Sequence, residues 1–290
     1  MRKTFNDGDE IRDEGLTTPE DVARFDGIAY GPDEKWNTLD VYRPKNHSGK
    51  LPVIISFHGG GWVYGDKERY QYYCMNFARH GFAVVNFTYR LAPEFQHPAG
   101  LEDMNRAAEW VMNNSERYGL DTGHVFGIGD SAGANGIGLY AAILTNKDYA
   151  AQYEFTAPSG FALKGVGLLC GTYRVDLENY ADEVTMSLIA EYLPNGGTVP
   201  EMEAMNLFKH ITRNFPPVFA ATGTGDFLRV QLHHLVKVLV DNDITFCARY
   251  YTSPERELGH DFCCNLRLKE GLECADDLCA FFRKFCGKNN

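Results

Sequence analysis

The chain has 290 residues, 44% of them hydrophobic and 13% aromatic, which is ample for a packed core and sets disorder aside. Its formal net charge of −11 argues against general nucleic-acid binding, because phosphate recognition needs clustered Lys and Arg. Met1 to Glu10 has basic residues but no apolar core, and no stretch approaches ~18 consecutive apolar residues, so no membrane contact and a cytoplasmic location are expected.

Residues 1 to about 30 form a polar, acidic lead-in, with a helix expected over Thr18 to Phe25, where Thr18 can cap and Pro19 suits the first turn. Leu39 to Tyr42 alternates as a strand, and Val53 to Phe57 is a nearly continuous apolar run, as a strand covered on both faces requires. A helix follows over Tyr72 to His80, then the buried strand Phe82 to Phe87, then helical spacing over Leu101 to Arg117 that stops at Gly119. The strand Val125 to Ile128 leads into a helix from about Ala132 to Thr145. Further strands are expected at Lys164 to Cys170, Val218 to Thr222 and Thr245 to Tyr251, with helices at Leu228 to Val240 and Leu266 to Phe285. Repeated strand-then-helix units with buried strands predict a mostly parallel sheet with helices on both faces, in one domain over 1–290.

Between the strands ending near Cys170 and beginning at Val218 the rhythm breaks. So long an excursion, with Tyr173, Tyr180, Tyr192 and Phe208, is usually functional. Segments 1–30 and 171–215 are therefore candidate caps, whose aromatics together with Trp62 are expected to wall a compact pocket.

The eight cysteines include no C-x-x-C pair, and reduced cysteines used as small hydrophobes are expected. No metal or organic cofactor is implied.

Two glycine-rich pieces carry chemistry. Gly129-Asp130-Ser131-Ala132-Gly133 directly follows a strand, the G-x-S-x-G arrangement by which an α/β-hydrolase exposes a nucleophilic serine on a tight strand-to-helix turn. His58-Gly59-Gly60-Gly61-Trp62 also follows a strand, where an H-G-G-G loop can offer backbone N–H groups to an oxyanion, completed by the N–H of Ala132. His58 is expected to brace that loop.

A serine hydroxyl needs a base, and the base needs a carboxylate to hold its tautomer; in this fold they follow in the order Ser, Asp or Glu, His. Asp226 follows the strand ending at Thr222, and His260 lies in a loop after the last strand. Ser131, Asp226 and His260 are thus the expected triad, with an apparent pKa near ~6 to 7 for the base. Asp261 adjoins the histidine in sequence and is poorly placed to face its Nδ1, while Asp241 and Asp243 follow a helix.

With Tyr89 to Glu94, these motifs resemble the hormone-sensitive-lipase-like (bacterial lipolytic family IV type) carboxylesterases of the α/β-hydrolase fold, from about residue 26 to the C-terminus. The resemblance implies Gly60, Gly61 and Ala132 as the oxyanion hole, Gly59 shaping the loop, Gly59 and Trp62 beside the substrate, and no chemical role for Glu94. The N-terminal region is short for a full helical cap of that family. Trp62 is also common in formamidases and carbohydrate-ester esterases.

The expected function is a serine carboxylesterase acting on short-chain esters through an acyl-enzyme. An amidase or formamidase, or a carbohydrate acetyl or feruloyl esterase, on the same triad is the alternative, and a non-catalytic binding protein of hydrolase fold the remoter one. The expected partner is a small-molecule ester, not nucleic acid or a membrane, with a homodimer left open.

Overall fold

The apolar runs at 51–57, 83–87, 163–169 and 218–223 are almost wholly buried, as strands covered by helices on both faces must be. The computed structural model describes residues 1–175 and 183–287. In chain order its elements are α1 Arg2–Asp13, β1 Val22–Ala29, β2 Thr38–Pro44, β3 Leu51–Phe57, α2 Gln71–Arg79, β4 Ala83–Phe87, α3 Ala99–Asn113, α4 Ser115–Tyr118, β5 Leu120–Asp130, α5 Ser131–Thr145 and α6 Lys147–Ala150. They continue as β6 Leu163–Leu169, α7 Glu183–Tyr192, α8 Val199–Ala204, α9 Leu207–His210, β7 Val218–Gly223, α10 Val230–Asp241, β8 Phe246–Tyr251, a 3-10 turn at Phe262–Cys264 and α11 Lys269–Arg283.

Among the described residues the strands form one eight-stranded sheet in the order β1, β2, β4, β3, β5, β6, β7, β8. The pairings of β2 with β1 and with β4 are antiparallel; all others are parallel. This is the α/β-hydrolase fold. One face packs on α3, α5 and α10 through Met104, Ile137 and Leu235, and the other on α2 and α11 through Phe77, Leu278 and Phe282. The chain leaves β3 for β4 on one side and enters β5 on the other, so the loops after β3 and β5 meet at a reversal of strand order, where ligands gather in such sheets.

Two local expectations give way. The helix expected at Thr18 to Phe25 is absent; residues 22–29 pair as β1 along β2, with a register slip between Phe25 and Ile28. A turn or two of isolated helix is marginal in water, and a ladder along a buried strand satisfies the same backbone groups better. The helix is instead α1, which contains no fully buried residue and therefore carries no apolar stripe to reveal it. The single helix expected over 101–117 divides at Asn114 into α3 and α4.

The two segments singled out as cap candidates meet the rest of the chain differently. Of residues 1–30, 22–29 belong to the sheet, and only α1 lies against the end of the molecule that bears Ser131. Within 171–215, α7 and α8 join the Trp62 loop in a third apolar cluster of Trp62, Val63, Ala132, Ile189, Tyr192 and Met202. Tyr180 lies outside the described residues.

Candidate active site

Ser131 begins α5 directly after β5, with a φ of 51° in the left-handed region, a conformation that costs a non-glycine residue about 1–3 kcal/mol. Close packing tightens the turn. A Cβ on Gly129 would run into the backbone of Gly133 and Ala134, and one on Gly133 into the carbonyl oxygens of Phe57 and His58. The flanking glycines are thus demanded by contact, while the unusual φ falls on the serine itself.

His260 Nε2 lies 2.9 Å from Ser131 Oγ, and its Nδ1 lies 2.8 Å from Asp226 Oδ1. Asp226 is wholly buried and its remaining capacity is filled: the Thr222 hydroxyl donates to Oδ2 at 2.6 Å and the Leu228 N–H to Oδ1 at 2.9 Å. The loops carrying Asp226 and His260 are stitched by Gly225 N–H to Leu258 O at 2.8 Å and Leu258 N–H to Thr224 Oγ1 at 3.2 Å. Burial would raise the Asp226 pKa, yet the hydrogen bond from His260 and those from Thr222 and Leu228 hold it below the ordinary carboxylate value. The three residues expected from chain order are therefore brought together in one hydrogen-bonded line.

His58, fully buried, stacks on Tyr89 at 4.2 Å and its Nδ1 lies 2.8 Å from Gly59 O. Burial lowers its pKa to about 4, so it stays neutral and braces the loop. Gly60 and Gly61 take φ of 103° and 61°, and Gly60 O accepts from Val63 N–H and Tyr64 N–H, closing the turn. Gly60, Gly61, Ser131 and Ala132 face one cavity, and Ala132 lies in the first turn of α5, where N–H groups have no carbonyl four residues back. Gly59, expected beside the substrate, does not line that cavity. Its N–H is not free to donate to a substrate either, because it donates to Tyr70 Oη at 3.1 Å, and a Cβ there would strike Asp130.

The cavity holds about 630 Å³. Its walls are Phe5, Gly8 and Arg12 of α1, Trp62 and Tyr64 of the glycine loop, Val184 and Leu188 of α7, and Val175, Phe227 and Leu228 between them. The aromatic cap residues expected to form these walls are mostly elsewhere. Tyr173 is buried in the main core with Phe208 packed against it, and Tyr192 stands behind Trp62, stacked at 4.8 Å. Aliphatic side chains of α7 face the cavity in their place.

Two charged residues near His260, Asp130 and Arg12, escaped sequence reasoning, and a third, Asp261, entered it only as a candidate partner for Nδ1. Asp261, also at φ 56°, puts Oδ2 3.2 Å from His260 Nε2. Asp130, within the serine motif, is buried and accepts the Tyr70 hydroxyl at 2.6 Å; burial pushes its pKa up to about 6. Arg12 donates to Asp13, Asp9 and the carbonyl of Arg69. The position of Asp261 right after the catalytic-order histidine was the one available signal, and only its αL backbone turns that neighbour back onto the ring. Burial alone would lower the His260 pKa, but Asp261, Asp226 and Asp130 push it up to about 9, well above the value expected for an unperturbed base.

Cys170, Asp261 and Cys263 bring one donor atom each within 4.8 Å. A hydrogen bond with Cys263 would lower the Cys170 thiol, yet burial and the charges of Asp226 and Asp261 take it up to about 12, and Cys263 is held well above its ordinary value by its bonds to Cys170 and Cys264. Neutral thiols are poor metal donors, and the group reads as packing beneath the histidine loop.

The model of the BD-FAE family matches residues 39–234, well over half of the chain. The chain belongs to that family, among the hormone-sensitive-lipase-like α/β-hydrolases. Similar curated proteins include the versiconal hemiacetal acetate esterase of Dothistroma septosporum, 36% identical over 108 residues, 37% of this chain and 32% of that protein. Esterase LipI of Mycobacterium tuberculosis is 40% identical over 99 residues, 34% of this chain and 30% of its own length. The aligned stretches thus span about a third of these relatives. Among solved structures, inhibited esterase B from Lactobacillus rhamnosis superposes with a TM-score of 0.88 at 24% identity, covering 98% of this chain and 93% of that one, a likeness of fold.

Proposed function

We propose that the protein is a serine carboxylesterase in which Ser131 is the nucleophile, His260 its base and Asp226 the residue that orients the base. The observation that carries this is the continuous line Asp226 Oδ1, His260 Nδ1, His260 Nε2, Ser131 Oγ, ending at the floor of a cavity. His260 Nε2 takes the Ser131 proton as Oγ bonds to the ester carbonyl carbon, and the tetrahedral oxyanion is held by the N–H groups of Gly60, Gly61 and Ala132. The same proton then passes to the leaving alcohol as the C–O bond breaks, giving an acyl-enzyme. A water that gives its proton to His260 releases the acid and restores Ser131.

Substrates of modest size are proposed, with α1 and α7 acting as the cap of a single domain. A burial of ~0.8 kcal/mol per methylene rewards chain length only until the far wall is met. With about 630 Å³ shared by acyl and alcohol groups, that wall is near. The α/β-hydrolase relatives named as esterases support the ester as the bond cleaved.

The test is a panel of p-nitrophenyl esters from acetate to palmitate, acetylated sugars, feruloyl esters and matched amides, with diisopropyl fluorophosphate labelling. Turnover of short esters with one adduct at Ser131 is expected. Labelling elsewhere with inactivation, or no turnover of any ester, would overturn the reading.

A further inference from the structure

We propose that Asp261 is a positioning residue that traps a proton on Nε2 of His260 and thereby sets the pH above which the base of Ser131 becomes free. The proposal rests on the serine-esterase reading of the site, but its central observation is independent of it. One imidazole nitrogen faces two oxygens: Ser131 Oγ at 2.9 Å and Asp261 Oδ2 at 3.2 Å. A histidine that is to accept the serine proton must present a bare Nε2 to Oγ, and a carboxyl at the same nitrogen competes for that place.

The competition is built into the backbone. Asp261 holds a φ of 56°, which folds the residue after His260 back toward the ring instead of away from it. Its other oxygen, Oδ1, is buried and has no hydrogen-bond partner among the described residues, so the carboxyl's compensation among them comes at Nε2.

The surroundings fix the sign. From the turn after β7 comes Asp226, from the end of β5 Asp130 with the Tyr70 hydroxyl donating to it, and from α1 Arg12, whose guanidinium is already engaged by Asp9 and Asp13. Beneath lie the thiols of Cys170, Cys263 and Cys264, all neutral. Three carboxyl groups thus share one imidazole and one arginine that other acids largely neutralise. Burial raises the Asp261 pKa and the negative neighbours raise that of His260, so the pair keeps a proton between them.

The proton sits on the imidazole, where Nε2–H donates to Asp261 and leaves no lone pair to accept from Ser131, so it must leave before the serine can give up its own.

The experiment pairs kinetics with a titration that needs no turnover. Asn is isosteric with Asp and tolerates the left-handed region, so Asp261→Asn keeps shape while removing the charge. On p-nitrophenyl butyrate from pH 5 to 10, the acid limb of kcat/KM should move down by about one pH unit, so that kcat/KM at pH 7 rises roughly 3- to 10-fold, with KM and the alkaline plateau within about twofold. A role in packing alone would lower the plateau and leave the midpoint in place, and that result overturns the proposal. In parallel, ¹⁵N-histidine NMR of the wild-type protein should show the His260 ring titrating well above pH 7. Titration at or below the ordinary imidazole value near ~6.5 would overturn it even if the variant failed to fold. Failure of the esterase reading would show separately, as absence of ester turnover and of Ser131 labelling in a protein whose His260 still titrates high.

Discussion

Arg2, in the first turn of α1, donates to both carboxylate oxygens of Glu94, at 2.8 and 2.5 Å, across 92 residues of sequence. The same guanidinium reaches Val63 O at 2.7 Å and Ala92 O at 2.6 Å, and at the far end of the helix Arg12 bonds Arg69 O. Glu94, given no chemical role by its motif, is thereby an anchor for α1. The ion pair itself is half-exposed and worth little in stability. Its effect is to hold Phe5, Asp9 and Arg12 against the cavity.

Arg2→Ala is therefore expected to leave the melting temperature nearly unchanged while loosening the α1 wall. KM for p-nitrophenyl butyrate should rise several-fold, on the order of the loss of one or two buried methylene contacts, and the ratio of decanoate to butyrate kcat/KM should increase. An unchanged chain-length profile would show that α1 does not bound the pocket.

The second wall is Leu188 of α7, which packs so closely over Gly61 that a Cβ there would press on it. Leu188→Ala should shift the best acyl chain upward by two or more carbons, read from the same ester series. Gly61→Ala should instead slow short esters, because the new methyl must displace Leu188 or distort the loop.

For the reacting groups, Ser131→Ala should lose at least ~10³-fold in kcat with substrate binding kept, since backbone donors and the cavity would remain. Asp226→Asn should fold, bind and turn over slowly, because the amide presents a donor to Nδ1 and favours the wrong tautomer. If Asp226→Asn were unimpaired, the carboxylate assignment would fail.

The pH dependence follows from the direction of the His260 shift. The proposed base His260 would act when neutral, and three carboxyl groups raise its pKa to about 9, so activity should climb with pH through that value. Between pH 6 and 8 kcat/KM should rise close to tenfold per unit. A plateau already reached at pH 7 would show that the negative neighbours do not act on the ring.

Gly133→Ala tests the elbow itself. The added methyl meets the carbonyl oxygens of Phe57 and His58, backbone atoms that cannot swing aside, and a loss of several kcal/mol in unfolding free energy, roughly 3 to 5, is expected with activity lost alongside. Chemical denaturation of the variant measures it.

The sheet and the residues of the hydrogen-bonded Ser131, His260 and Asp226 line were legible in the sequence because each rests on short-range patterns. Runs such as Val53 to Phe57 and Val218 to Thr222 must be buried on both faces whatever surrounds them, and Ser131, Asp226 and His260 each follow a strand that ends at the same sheet edge. What only the tertiary structure decided depends on contacts between distant segments. The helix Arg2–Asp13 carries no apolar stripe and is held by Glu94, Val63 and Arg69, none of them near it in sequence. Residues 22–29 became a strand because β2 was there to pair with, and Tyr173 and Tyr192 turned toward the core, leaving Leu188 and Val184 to face the cavity. Asp261 was weighed in sequence only as a partner for Nδ1; the left-handed backbone at that residue, invisible in the letters, delivers it to Nε2, because the side a side chain takes is set by φ and by what already fills the space around it.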